Sequence, residues 1–111
     1  MVTYAGGDVV PLLFPFTDAV GAKQRPALIL LDAGDEDMLV ARITSQIPVA
    51  QYDVNLSDWQ QAGLLRPSVA RVHKLATLER SLVKRKLGTL TSADWTRVRE
   101  RIQRLCSAIS Q

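Results

Sequence analysis

Cysteine, histidine and aromatic side chains are scarce in this chain of 111 residues. It has one cysteine, Cys106, and one histidine, His73. A lone cysteine cannot close an internal disulfide, so nothing points to an oxidising compartment. One histidine and one cysteine are too few for a zinc site built from those ligands, so no metal is expected. Phenylalanine, tyrosine and tryptophan make up 5% of the residues, which leaves few platforms on which nucleic-acid bases could stack. Phe16, Tyr52 and Trp59 are the candidates, each with core packing as the ordinary alternative. No apolar run approaches the roughly 20 residues of a membrane-spanning helix. The N-terminal MVTYAGGDVV has no basic segment ahead of an apolar one, so no secretory signal and a cytoplasmic location are expected. Gly6-Gly7 does not open a GxxxxGK[ST] loop and no GxSxG is present, so neither nucleotide cofactor nor serine-hydrolase chemistry is indicated.

The apolar fraction of 47% and charged fraction of 23% are those of one soluble globular domain spanning residues 1–111. The net charge of +3 conceals an asymmetry. Residues 1–65 carry a net charge of −5, and residues 66–111 carry +8. A basic half fits an anionic partner, nucleic acid or an acidic protein segment, or else a solvated surface.

Along the chain, DVVPLLF at 8–14 reads as a strand in which Pro11 marks an edge or a bulge. PFTDAVGAKQ at 15–24 is a long polar loop. PALILL is a short apolar run suited to a strand covered on both faces. The acidic turn DAGDED is read as a solvated loop rather than a metal site. In MLVARITSQ, alternation puts Met38, Val40, Arg42, Thr44 and Gln46 on one face. QYDVNLS is a short strand, and WQQAG a helical turn closed by Gly63. RPSVARVHKLATL is a longer strand, with Val69, Arg71, His73 and Leu75 alternating against Ala70, Val72 and Lys74. ERSLVKRKLGTL holds a turn and a last short strand. TSADWTRVRERIQRLCSAIS is a helix capped by Thr91 or Ser92, with an apolar stripe of Trp95, Val98, Ile102, Leu105, Cys106 and Ile109. The order implies an α+β fold, mainly β: a small, strongly bent antiparallel sheet or barrel with a C-terminal helix packed on it.

Polar residues gather at strand ends: Arg25, Thr44, Arg71 and His73. A guanidinium donates two parallel hydrogen bonds to phosphate oxygens, and a threonine hydroxyl can add a third. RNA supplies its own nucleophile, the 2′-hydroxyl, so a site that cleaves it needs only charge stabilisation and proton transfer. Each of these residues also has an ordinary structural reading: an ion pair for Arg25, a strand position for Thr44, a surface or core histidine for His73.

The segment GGDVVPLLFPFTDAVGAKQRPALILL resembles the opening of the MazF/PemK family of toxin ribonucleases. The resemblance continues through ITSQ at 43–46, GLLRPSVARVHKLATL at 63–78 and LGTLT at 87–91, in the family's order. It implies an SH3-like barrel of the CcdB/PemK kind with a C-terminal helix, paired as a homodimer. It implies a toxin of a type II toxin–antitoxin system that cleaves single-stranded RNA at short sequences without a metal or other cofactor. It also implies a cognate antitoxin with an acidic, partly disordered tail, and no membrane.

The family's catalytic arginine falls on Arg25 and its catalytic threonine on Thr44. The loop from Phe16 through Gln24, including Thr17 and Lys23, corresponds to one that contacts RNA. Ser45 and Gln46 follow the threonine, and Arg71 and Lys74 lie on a strand that supplies further RNA contacts. That strand departs from the family pattern: His73-Lys74 replaces an acidic residue and Gln, and Ala76-Thr77 replaces Arg-Thr. His73 is assigned to proton transfer, since a guanidinium with a pKa above about 12 is a poor acid whereas imidazole titrates near 6.5. Two other readings stay open: a catalytically silent member that binds RNA or an antitoxin, and a CcdB-like toxin that binds gyrase. The C-terminal LCSAISQ lacks the aromatic tail expected of the latter.

Overall fold

Residues 3–13, 24–46 and 50–111 are described by the computed structural model. β-Branched and leucine-rich segments form six strands: β1 (Asp8–Leu13), β2 (Gln24–Asp32), β3 (Asp37–Thr44), β4 (Asp53–Leu56), β5 (Ser68–Glu79) and β6 (Gly88–Thr89). They join in one curled antiparallel sheet, a half-barrel ordered β4-β5-β3-β2-β1-β6. Among the described residues one α-helix, α1 (Ser92–Ile109), follows. The bent antiparallel sheet with a C-terminal helix is the architecture the sequence predicts.

Alternation along the strands divides the core in two. Val9, Leu28, Ala41, Ile43, Ala70 and Val72 face one side, where Val98, Trp95 and Ile102 of α1 cover them. Val10, Leu12, Ala27, Ile29, Met38 and Val40 face the other side, with Leu78, Val83 and Tyr4 packed against them. PALILL is therefore covered on both faces as far as Ile29, and an extra residue at Leu30 then shifts the β2–β3 register. Leu31, beyond that bulge, is exposed.

β5 departs from the simple alternation expected of it. Ala41 pairs with Leu75, but the next residue of β3, Arg42, pairs with Arg71. Val72, His73 and Lys74 are thus extra residues on β5, and the strand bends there. Its first part pairs with both β3 and β4, its second with β3. Before the bend Ala70 and Val72 face the helix side; after it Ala76 and Leu78 face the other side.

The helix begins as its sequence dictates. Thr91 caps it by accepting from the Asp94 amide at 3.4 Å. Asp94, fully buried, accepts from the backbone amides of Ser57 at 3.2 Å and Asp58 at 2.9 Å and pairs with Arg97. One carboxylate therefore satisfies the turn after β4 while lying at the positive end of the helix. The apolar stripe is covered only in its first half: Cys106 is exposed and Ile109 is 73% exposed.

A second buried tie closes the far end of the sheet. Asp32 accepts from Arg80 Nε at 3.2 Å, is also bonded by an Arg80 terminal nitrogen, and accepts from the Gly34 amide at 3.1 Å. The Arg80 hydrogen bond holds the Asp32 carboxyl below the ordinary carboxylate range.

Two outcomes follow. Asp94→Ala leaves the Ser57 and Asp58 amides without their acceptor and is expected to lower unfolding stability by about 3 kcal/mol in urea titration. Because the folded pKa of Asp32 lies below its unfolded value, its contribution is complete above the unfolded pKa and is lost as pH falls through the folded one. Unfolding scans at graded pH should show the wild type losing stability below about pH 4. Asp32→Asn should be less stable at neutral pH and show a smaller loss on the acid side.

Candidate nucleic-acid interface

The site begins with two prolines that face each other. Pro11 of β1 pairs with Pro26 of β2. Neither has an amide hydrogen, so the two cannot exchange ladder hydrogen bonds, and they must form a non-hydrogen-bonded pair. In such a pair the backbone nitrogen points to the outer neighbour. For Pro11 that neighbour is β6, which reaches only Asp8 and Val9 and so asks nothing of it. For Pro26 the neighbour is β3, where it has no donor to offer. The β2–β3 ladder accordingly ends one residue inside, at Ala27–Arg42.

Beyond that last pair the ends of β2 and β3 bound an open cleft of about 790 Å³. Extending the register by two residues sets Arg25 across from Thr44, on the same face of the sheet. Both line the cleft, together with Gln24, Ser45 and Gln46. Arg25 is exposed and Thr44 half-buried, and the Thr44 Oγ1 accepts from the Gln46 amide at 3.1 Å, which folds the chain back after the strand. The rigid segment Ala27–Ile29 lies directly behind Arg25, wholly buried.

The rest of the wall comes from two segments in which no site residue is expected from sequence. Leu64, Leu65 and Arg66 precede β5, and Arg85, Lys86 and Leu87 precede β6. They are pressed together at two glycines. A Cβ on Gly63, whose φ is +82°, would stand 2.2 Å from the Leu87 carbonyl oxygen, and one on Gly88 would stand 2.5 Å from Ala62. The Leu87 amide donates to Val9 at 2.7 Å, tying this wall to β1.

Among the described residues the lining holds four cations, Arg25, Arg66, Arg85 and Lys86, and no carboxylate. Lys86 lies 3.8 Å from Asp8. The only hint of this wall in the sequence is the concentration of positive charge after residue 65, with Lys84, Arg85 and Lys86 in succession.

The other predicted site residues fall elsewhere. Arg71, His73 and Lys74 are not part of this lining. The extra residues of β5 carry His73 and Lys74 at its bend, and Arg71 donates through Nε to the buried Asp53 at 3.2 Å. His73 Nδ1 is 4.0 Å from the same carboxylate. Tyr52 and Trp59 pack against the helix-side core. Phe16, Thr17 and Lys23 lie outside the described residues.

Known proteins match the whole of this architecture. The structure of MazF from Deinococcus radiodurans is 23% identical, with 96% of this chain and 99% of that one covered and a TM-score of 0.75. The Mycobacterium tuberculosis toxin MazF-mt6 is 22% identical over 86% and 91% of the two chains, with a TM-score of 0.70. A mycobacterial endoribonuclease in complex with its cognate antitoxin is 18% identical over 89% and 90%, also with a TM-score of 0.70. No curated protein matches in sequence. The model of the PemK-like, MazF-like toxins of type II toxin–antitoxin systems matches residues 6–106. The chain belongs to the PemK/MazF toxin family.

Proposed function

We propose that this toxin is an endoribonuclease that cuts single-stranded RNA by attack of its own 2′-hydroxyl. The observation that carries the reading is the cleft, with no carboxylate among its described lining residues, in which the rim of the sheet presents Arg25 and Thr44 together. Similarity to proteins described as endoribonucleases supports it.

In the reaction, the 2′-oxygen forms a bond to the adjacent phosphorus and gives up its proton to solvent. Negative charge builds on the non-bridging oxygens. The Arg25 guanidinium meets that charge with two parallel donors, and the Thr44 hydroxyl donates to one oxygen. The bond from phosphorus to the 5′-oxygen then breaks, and that oxygen takes up a proton. The products are a 2′,3′-cyclic phosphate and a 5′-hydroxyl. Nothing in this scheme calls for a metal, and the described lining offers none of the carboxylate, imidazole or thiolate ligands that would hold one. Ala27–Ile29 anchor the backbone from which Arg25 projects.

Gln24, Ser45 and Gln46, at the same strand ends, are placed to donate to or accept from base edges and so to choose the sequence cut. Cutting of messages would stop translation and growth in the cytoplasm. The same cations suit an antitoxin with an acidic tail, and the exposed Leu31, Leu75 and Leu82 suit pairing with a second copy of the chain.

The test is cleavage of mixed-sequence single-stranded RNA in EDTA with the fragment ends identified. The wild type should give cyclic-phosphate ends. Arg25→Ala should lose on the order of 10²-fold or more in rate, as does removal of an oxyanion donor elsewhere. Thr44→Val should lose roughly 10- to 100-fold, the worth of one hydrogen bond to a charged oxygen. Equal cutting by wild type and Arg25→Ala would overturn the assignment.

A further inference from the structure

We infer that Arg66 and Arg85 form a second phosphate-binding subsite, across the cleft from Arg25, which holds a nucleotide flanking the point of cleavage. The inference rests on the ribonuclease reading.

A single phosphodiester carries one negative charge, which one guanidinium fork such as Arg25 matches. The cleft nonetheless contains two further arginines. Neither has a carboxylate within 4.0 Å among the described residues, and both are exposed. Elsewhere in the fold the buried or half-buried carboxylates Asp32, Asp53 and Asp94 are each taken by an arginine, namely Arg80, Arg71 and Arg97. The two uncommitted forks therefore stand where their charge is available to a ligand. Lys86, beside them, is partly offset by Asp8.

These arginines are also not carried on loose chain. The Gly63–Gly88 approach leaves no room between the two segments that bear them. Ser68 Oγ donates to the Arg66 carbonyl at 2.7 Å, and Leu87 is tied to β1. Ordered backbone on both sides keeps this pair and Arg25 in one cleft, and several cations in one cleft favour a polyanion that brings a phosphate to each over an isolated phosphate. Single-stranded RNA meets that requirement. The exposed Leu65 next to Arg66 gives the intervening nucleotide an apolar surface.

Such a subsite acts on the ground state and the transition state alike, so its loss raises KM and spares kcat. The experiment compares the full-length wild type with Arg66→Ala/Arg85→Ala and with Arg66→Lys/Arg85→Lys. Arg99→Ala/Arg104→Ala, on exposed helix positions outside the cleft, is the control for net charge. Two readouts are used: steady-state RNA cleavage, and binding of an uncleavable 2′-O-methyl oligonucleotide of mixed sequence at graded salt.

The alanine pair should raise KM about 10-fold or more with kcat nearly unchanged. It should flatten the salt dependence of binding by about 0.7 in log–log slope, the value for one phosphate of a single strand. The lysine pair should recover the slope but not all of the affinity. The control should match the wild type in both. A slope and KM no different from the control would overturn the subsite while leaving the ribonuclease reading intact. Intact binding effects with no RNA cleavage by the wild type would retain the subsite and overturn the ribonuclease reading. No binding of the oligonucleotide by the wild type would overturn the subsite.

Discussion

Two missing amide hydrogens shape this molecule. Pro11 and Pro26 sit opposite each other because neither could occupy a hydrogen-bonded position of the β1–β2 ladder. That requirement turns the Pro26 nitrogen toward β3, where a donor is wanted and none exists. The sheet therefore parts at a fixed residue. Arg25 and Thr44, which would otherwise be an ordinary cross-strand pair, become the two lips of a cleft. An arginine at the mouth of a buried strand is then no contradiction, since the apolar run anchors the strand and the proline releases its end.

The rest of the fold supports that opening without entering it. Buried carboxylates are spent on structure: Asp94 orders the turn after β4, Asp32 clamps Arg80, and Asp53 holds Arg71. Among the described residues only Asp8, 3.8 Å from Lys86, comes within 4.0 Å of the cleft's cations. The net charge of the chain is modest, but its placement is not. Positive charge reaches the cleft from residues far apart in sequence, and a cluster of cations within low-dielectric walls has a longer reach than its count implies.

Local chemistry made much of this legible. Alternation and apolar runs located β1, β2 and β3, and the cap offered by Thr91 or Ser92 ahead of an apolar stripe located the start of α1, where Thr91 is the cap. Arg25 and Thr44 were marked by the resemblance to the family rather than by local chemistry. What depended on tertiary register was not legible. The alternation Val69–Leu75 looks unbroken on paper, yet three extra residues at Val72–Lys74 redirect the strand and set His73 beside Asp53. The wall of Arg66 and Arg85 was hidden because its two halves are 19 positions apart and meet only through the contact of Gly63 with Gly88. Glycine in such a role leaves no periodic trace.

The pairing of β6 with β1 has a consequence for biosynthesis. Thr89 Oγ1 donates to Asp8 across 81 residues, and the wall that faces Arg25 hangs on that junction. A chain emerging from the ribosome holds Arg25 and Thr44 early but lacks the facing wall until its last strand is free to join its first. Non-local closure of this kind comes late in folding. The wall beside Arg25 is thus closed only once residues 88–89 are free to pair with β1.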